Sequence, residues 1–286
     1  MKKLLLATTM LVTAGTYAAA DVSVSGSARM GVASYDGDSV MSSRVRIKFS
    51  GSGTSDGGLA FGASMRADQS GQGNDANGDS TVFISGAFGK ITMGDTGNAV
   101  DSLVGNVSAV GYGAKYPGKT SLDGANELGL LDNANKTGVS YNLTVGGATV
   151  EVGSGQIDGA AEYYSGAVAY AVSGISFAVG YESNSTDSQT KASVSAKVGP
   201  ATVKAAVADR DSHDDIGYAV SADFAMAGAT VTAYYADDNA EEANIAVGAA
   251  YDLGGGAVIK AGVGNIYDAV QGDTVVVADA GVTLSF

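Results

Sequence analysis

The chain has no cysteine, no tryptophan, two prolines and a single histidine, His213. Without cysteine there is no disulfide framework, no thiolate metal site and no thiol nucleophile. A lone histidine has no second one to share a zinc site with, and His213 stands in the acidic run 209–215, which reads as a solvated loop. No catalytic constellation emerges, and the chain is expected not to be an enzyme. Long apolar runs are also missing once the first twenty residues are set aside. Residues 1–20 read as a secretory signal: Lys2 and Lys3, an apolar stretch over 4–14, and the small residues Ala18, Ala19 and Ala20 before the cleavage point. Nothing later reaches the ~18 consecutive apolar residues of a spanning helix. Removing the leader takes away two lysines and no acid, so the formal charge moves from -14 to -16. A protein of that charge repels phosphate backbones, which argues against nucleic acid as a partner.

What is abundant is glycine, with 42 residues, spread as in a sheet-rich chain with many tight turns. Alternation of period two runs through nearly all of 21–286. In the first segment Val22, Val24, Ala28, Met30 and Val32 share one face, and Ser23, Ser25, Ser27 and Arg29 the other. Sixteen strands are predicted: 21–34, 44–50, 59–69, 81–88, 91–94, 138–145, 148–153, 162–172, 175–182, 191–198, 201–208, 216–226, 229–236, 242–253, 257–264 and 274–286. Short turns alternate with longer polar loops at 35–42, 70–80, 183–190, 209–215 and 265–273. Short turns on one rim and long loops on the other describe an up-and-down barrel that crosses a membrane. The expected fold class is therefore all-β, a sixteen-stranded antiparallel transmembrane β-barrel, with 21–286 as one domain.

Alternation alone also fits a soluble sandwich. Small, lightly apolar outward residues favour lipid contact over a close-packed core. Aromatics near strand ends (Phe49, Tyr163, Tyr181, Tyr234, Tyr251) suit interface girdles. The cations agree, because Arg29, Arg44, Arg46, Lys48 and Arg66 all fall on polar faces of the first three strands. A cation on the lipid face near the midplane costs ~2–4 kcal/mol. These five side chains are thus expected in the lumen as a basic wall.

Residues 95–136 form the one long segment without alternation, and a loop of that length is normally functional or disordered. It carries Asp95, Asp101, Asp123, Glu127 and Asp132. Folded inward, it would narrow the pore and set these acids opposite the basic wall. The resulting transverse field favours small polar solutes. The plain alternative is a solvated arginine face with an ordinary surface loop.

Several stretches, Ser43-Arg-Val-Arg-Ile47, 57–64 (GGLAFGAS), 82–95 (VFISGAFGKITMGD), 251–256 (YDLGGG) and the terminal Phe286, closely resemble the general diffusion porins of alphaproteobacteria, including those of purple photosynthetic bacteria. That resemblance implies a homotrimer in the outer membrane, set in lipid and lipopolysaccharide, with passive diffusion of small hydrophilic solutes and ions through water-filled pores. It places Arg29, Arg44, Arg46 and Arg66 in the basic wall of an eyelet. Asp95 and Asp101 go to its acidic loop, near Val110-Gly-Tyr112. The chain departs from the family where Asn106 replaces an expected acid and where Lys115 and Lys119 lie nearby. Field strength, ion preference and any calcium at loop carboxylates, including the acidic stretch 73–79, stay open, with no other cofactor expected. Two further readings also stay open: a secreted, acidic structural or adhesive β-protein, and a substrate-specific anion channel.

Overall fold

The computed structural model describes residues 21–70, 73–114, 116–129, 131, 137–156, 163–238 and 243–286. Its strands are β1 Asp21–Tyr35, β2 Asp38–Thr54, β3 Ala60–Ser70, β4 Gly73–Gly86, β5 Gly89–Gly94, β6 Thr137–Val145, β7 Ala148–Gln156 and β8 Tyr163–Val172. They continue with β9 Ile175–Ser183, β10 Ser188–Val198, β11 Ala201–Arg210, β12 Gly217–Met226, β13 Ala229–Asp237, β14 Asn244–Gly254, β15 Ala257–Asp268 and β16 Asp273–Ser285. Each strand pairs antiparallel with its sequence neighbours, and β1 pairs with β16, so the sheet closes. The closing seam is completed by reciprocal bonds, Gly26 N donating to Phe286 O at 2.6 Å and Phe286 N to Gly26 O at 3.0 Å. Among the described residues the one helix is α1, Ala99–Leu103, between β5 and β6.

Several predicted loops are shorter than the spacing suggested. Residues 35–42 contain only a two-residue turn, Asp36-Gly37, with φ of 48° and 89°. Asp-Gly with both φ positive is the type I′ pairing that matches strand twist, so the ladder runs to the turn itself. Of the stretch 70–80, Ser70 likewise belongs to β3 and residues 73–80 to β4. The turn expected at Gly89-Lys90 falls two residues earlier, which places Lys90 in β5, its Nζ 4.5 Å from the centre of the Phe83 ring.

The two sheet faces differ as the alternation requires. On β12, Tyr218, Val220 and Ala222 are exposed while Gly217, Ala219 and Ser221 are buried. Exposed apolar residues such as Val24, Val32, Val179 and Val247 follow the same parity around the ring. Aromatics gather toward both ends of that exposed face, with Tyr164, Tyr181 and Tyr218 near the longer connections and Tyr170, Phe177, Phe224 and Tyr251 near the short turns. Two predicted girdle residues do not belong there. Tyr163 and Tyr234 are buried on the opposite, polar face, where each hydroxyl has a partner: Tyr163 OH donates to Glu182 Oε2 at 2.7 Å and Tyr234 OH to Leu122 O at 2.8 Å. Parity along the strand, not proximity to its end, decides the side.

The buried apolar cluster lies between the β5–β6 segment and the wall. Val107, Val110, Leu122 and Leu128 pack on wall alanines such as Ala206, Ala219 and Ala246 and on the larger Tyr234, Ile266 and Val277. Small wall residues leave the room that the segment fills.

Candidate functional site

The described residues between Gly94 and Thr137 follow the polar face strand by strand. They open with α1, where Asn98 Oδ1 caps the helix by accepting from Asp101 N at 2.6 Å. Ala99 and Val100 are fully buried against β7, β8 and β9, and Ala99 N donates to Ser165 Oγ at 2.9 Å. Ser193 Oγ on β10 then donates to Val104 O at 2.8 Å. On β12, Ser221 Oγ accepts from Ser108 N at 2.9 Å.

Next the segment crosses two pairs of facing glycines. Gly248 of β14 stands opposite Gly262 of β15, and Gly31 of β1 opposite Gly281 of β16. A Cβ at Gly248 or Gly262 would collide with Val110, and one at Gly31 or Gly281 with the Tyr112 ring. The absent side chains are the seats of Val110 and Tyr112.

Wall carboxylates fasten the segment along this path. Glu182 is fully buried and takes four donors: Asn98 Nδ2 at 3.0 Å, Leu131 N at 3.2 Å, Tyr163 OH at 2.7 Å and Gln189 Nε2 at 3.0 Å. It thereby ties the two ends of the segment to one point. Glu151 Oε2 accepts from Ser102 Oγ at 2.9 Å, and Asp223 Oδ2 from Ser108 Oγ at 2.5 Å. Asp279 accepts from Tyr112 N, at 3.1 Å for Oδ2. Asp268 pairs with Lys119 Nζ at 2.6 Å and also accepts from Tyr35 OH. Asn106, at the position where an acid was expected, accepts from the fully buried Lys191 Nζ at 2.5 Å.

The basic residues do come together. Arg29 faces Arg44 directly across β1–β2, Arg46 faces Asp68 across β2–β3, and Lys48 faces Arg66. The acid among them was not singled out beforehand. Asp68 accepts from Arg46 Nε at 2.8 Å and from Arg66 Nε at 2.6 Å. Its sequence signal was its place two residues after Arg66, hence on the same face.

The loop acids are dispersed. Asp123 shares a niche with Arg29 at Gly113, where a Cβ would strike both side chains. Asp101 and Glu127 lie within electrostatic reach of Lys191 instead. Asp95 sits at the exit of β5, its N–H donating to Ser80 O at 2.8 Å. Asp132 and Lys115 lie outside the described residues, as do the side chains of 73–79. Among the described residues no three His, Asp or Glu side chains converge as a metal site.

Residues 113–120 (GAKYPGKT) have the spacing of a phosphate-binding P-loop. Their setting differs, since no helix follows among the described residues and the Lys119 ammonium is held by Asp268, 4.9 Å from the centre of the Tyr35 ring.

On the rim, Asp187 clamps two connections. It accepts from Ser212 Oγ at 2.7 Å, Ser212 N at 3.2 Å and Ser188 N at 2.9 Å, and pairs with Arg210 Nε at 3.0 Å. The Ser212 hydroxyl, the Ser188 amide and Arg210 hold its carboxyl below the ordinary 3.8. A depressed folded value means that the clamp is at full strength above the ordinary value and is lost as pH falls through the folded one. Exchange at the Ser188 and Ser212 amides, corrected for intrinsic rates, should therefore rise in acid. In Asp187→Asn it should already be high at neutral pH. Equal protection of the variant at neutral pH would show that the clamp does not order the rim.

The chain matches the family model described as "Gram-negative porin" over residues 7–269. It is 34% identical to a porin of Rhodobacter capsulatus, an alignment that covers 93% of this chain and all of that one. Solved structures of engineered Rh. blastica porin superpose with TM-scores of 0.77 and 0.76 at 21% identity, again over 93% of this chain and all of theirs. The chain belongs to the Gram-negative porin family.

Proposed function

We propose that this protein is an outer-membrane pore through which small hydrophilic solutes and ions diffuse passively, narrowed by residues 95–136 folded into the lumen. The observation that carries this reading is the path of the segment. Its contacts run from β7 round to β16 and β1 on a single face of a closed ring, and a chain of that length reaches so many strands from the inside. The exposed apolar face then meets lipid, as a membrane barrel requires. Members of this family are channels rather than enzymes.

In this reading Arg29, Arg44, Arg46, Lys48 and Arg66 form one wall of the narrowing. Asp123 is the loop acid that faces them, while Asp95, Asp101 and Glu127 line the approach. Residues 1–20 are removed on export. Three copies assemble through their exposed apolar faces, set among lipid and lipopolysaccharide. No resident cofactor is part of the mechanism, and calcium is not needed to hold the loop, because wall donors and acceptors already fasten it.

The test is planar-bilayer conductance of the detergent-extracted protein. Stepwise insertions, grouped in threes and rising in proportion to potassium chloride concentration, are the expected result. A folded, β-rich sample that inserts no channels would return the protein to a secreted structural role.

A further inference from the structure

The basic wall is not neutralised where the segment passes it. Arg29, Arg44, Arg46 and Lys260 border one space of about 450 Å³, and the carboxylate bordering it is Asp123. Arg46 is already engaged by Asp68, and Arg29 shares its niche with Asp123 while its Nε has no hydrogen-bond partner. Among the described residues no carboxylate lies within ion-pair distance of Arg44 or Lys260. Arg44 also stands directly opposite Arg29 in the β1–β2 register, and like charges facing each other across a ladder destabilise the pair. The hydroxyl residues Ser27 and Thr283 border the same space.

We propose that this space is a binding site for a small oxyanion, held between Arg44, Arg29 and Lys260. The inference rests on the pore reading and adds the class of solute that the narrowing retains. Guanidinium groups present paired donors that match two oxygens of a phosphate or carboxylate. A spherical halide gains charge attraction there but not that match. The retained anion relieves the repulsion between Arg29 and Arg44, and the site is open to water on the transport path. Such a site makes flux saturable, because a solute bound at the narrowest point must leave before the next one passes.

The probe is inorganic phosphate. Wild-type channels are titrated in potassium phosphate and in potassium chloride at matched potassium concentration. Conductance in chloride is expected to rise in proportion to concentration. In phosphate it should level off, falling about threefold below the linear extrapolation at the highest concentration. Arg44→Gln combined with Lys260→Gln should abolish the plateau, and Lys90→Gln, which lies away from the site, should keep it. Linear phosphate conductance in the wild type overturns the inference. So does a plateau that survives unchanged in the double variant. Channels in chloride without a phosphate plateau refute this site alone, whereas no channels in either salt refute the pore.

Discussion

Replacing Glu182 with alanine should free the β5–β6 segment while leaving the barrel intact. The four donors that converge on this carboxylate come from both ends of the segment and from β8 and β10. Removing one member of a buried, charged network costs about 3–5 kcal/mol, because the remaining groups are left without partners away from water. The buried Lys191 loses its nearby negative charge as well. Backbone pairing of β9 with β8 and β10 does not involve the side chain, so the ring persists. Single-channel records should turn from steady to noisy, and proteolysis within residues 95–136 should speed up. Tyr163→Phe removes one donor, worth roughly 1.5–3 kcal/mol to a charged acceptor, and should give a milder form of the same behaviour. Steady wild-type records from Glu182→Ala would mean that the glycine seats hold the segment without the carboxylate.

A second large effect is expected from Arg44→Gln, which should raise the permeability ratio of cation to anion about threefold or more. A unit charge ~8 Å from a permeating ion contributes roughly 0.5–2 kcal/mol between the limits of bulk water and a protein surface. Removing a positive one lowers the barrier for cations and raises it for anions. Arg46→Gln should shift the ratio in the same direction, because it also removes one positive charge and leaves Asp68 with Arg66 alone. Reversal potentials under a salt gradient measure both variants. No shift in either would remove both side chains from the narrowest point.

Much of this architecture was readable from period two and from charge parity. Arg29, Arg44, Arg46, Lys48 and Arg66 share one face because each strand alternates, and the register then brings Arg29 opposite Arg44. The strands that flank the long segment were readable for the same reason, since alternation runs up to Gly94 in β5 and is present again in β6. How the segment is held was not readable. Glu151, Glu182, Asp223, Asp268 and Asp279 look like any polar-face residues on their strands. Their donors lie elsewhere in the chain, as with Ser108 and Asp223, 115 positions apart. No local pattern encodes such a meeting. The expected division into basic wall and acidic loop was too simple for the same reason, because much of the wall from β7 onward is acidic and grips a loop rich in neutral donors. Tyr163 and Tyr234 were misjudged because an aromatic near a strand end looks alike on either face.

The seam between the first and last strands carries a consequence for how the molecule is made. Every other strand pairing joins neighbours in sequence, but β1 meets β16 only through contacts such as Ser27 with Ser285, and the seam bonds reach Phe286, just past β16. Until β16 reaches β1, both flanks of the unfinished sheet carry rows of unpaired amides and carbonyls, ready to recruit any other strand. Closing so long a loop comes late by entropy alone. A chain whose β16 has not yet met β1 therefore has no closed wall, and its open edges must be kept from other strands until the two pair.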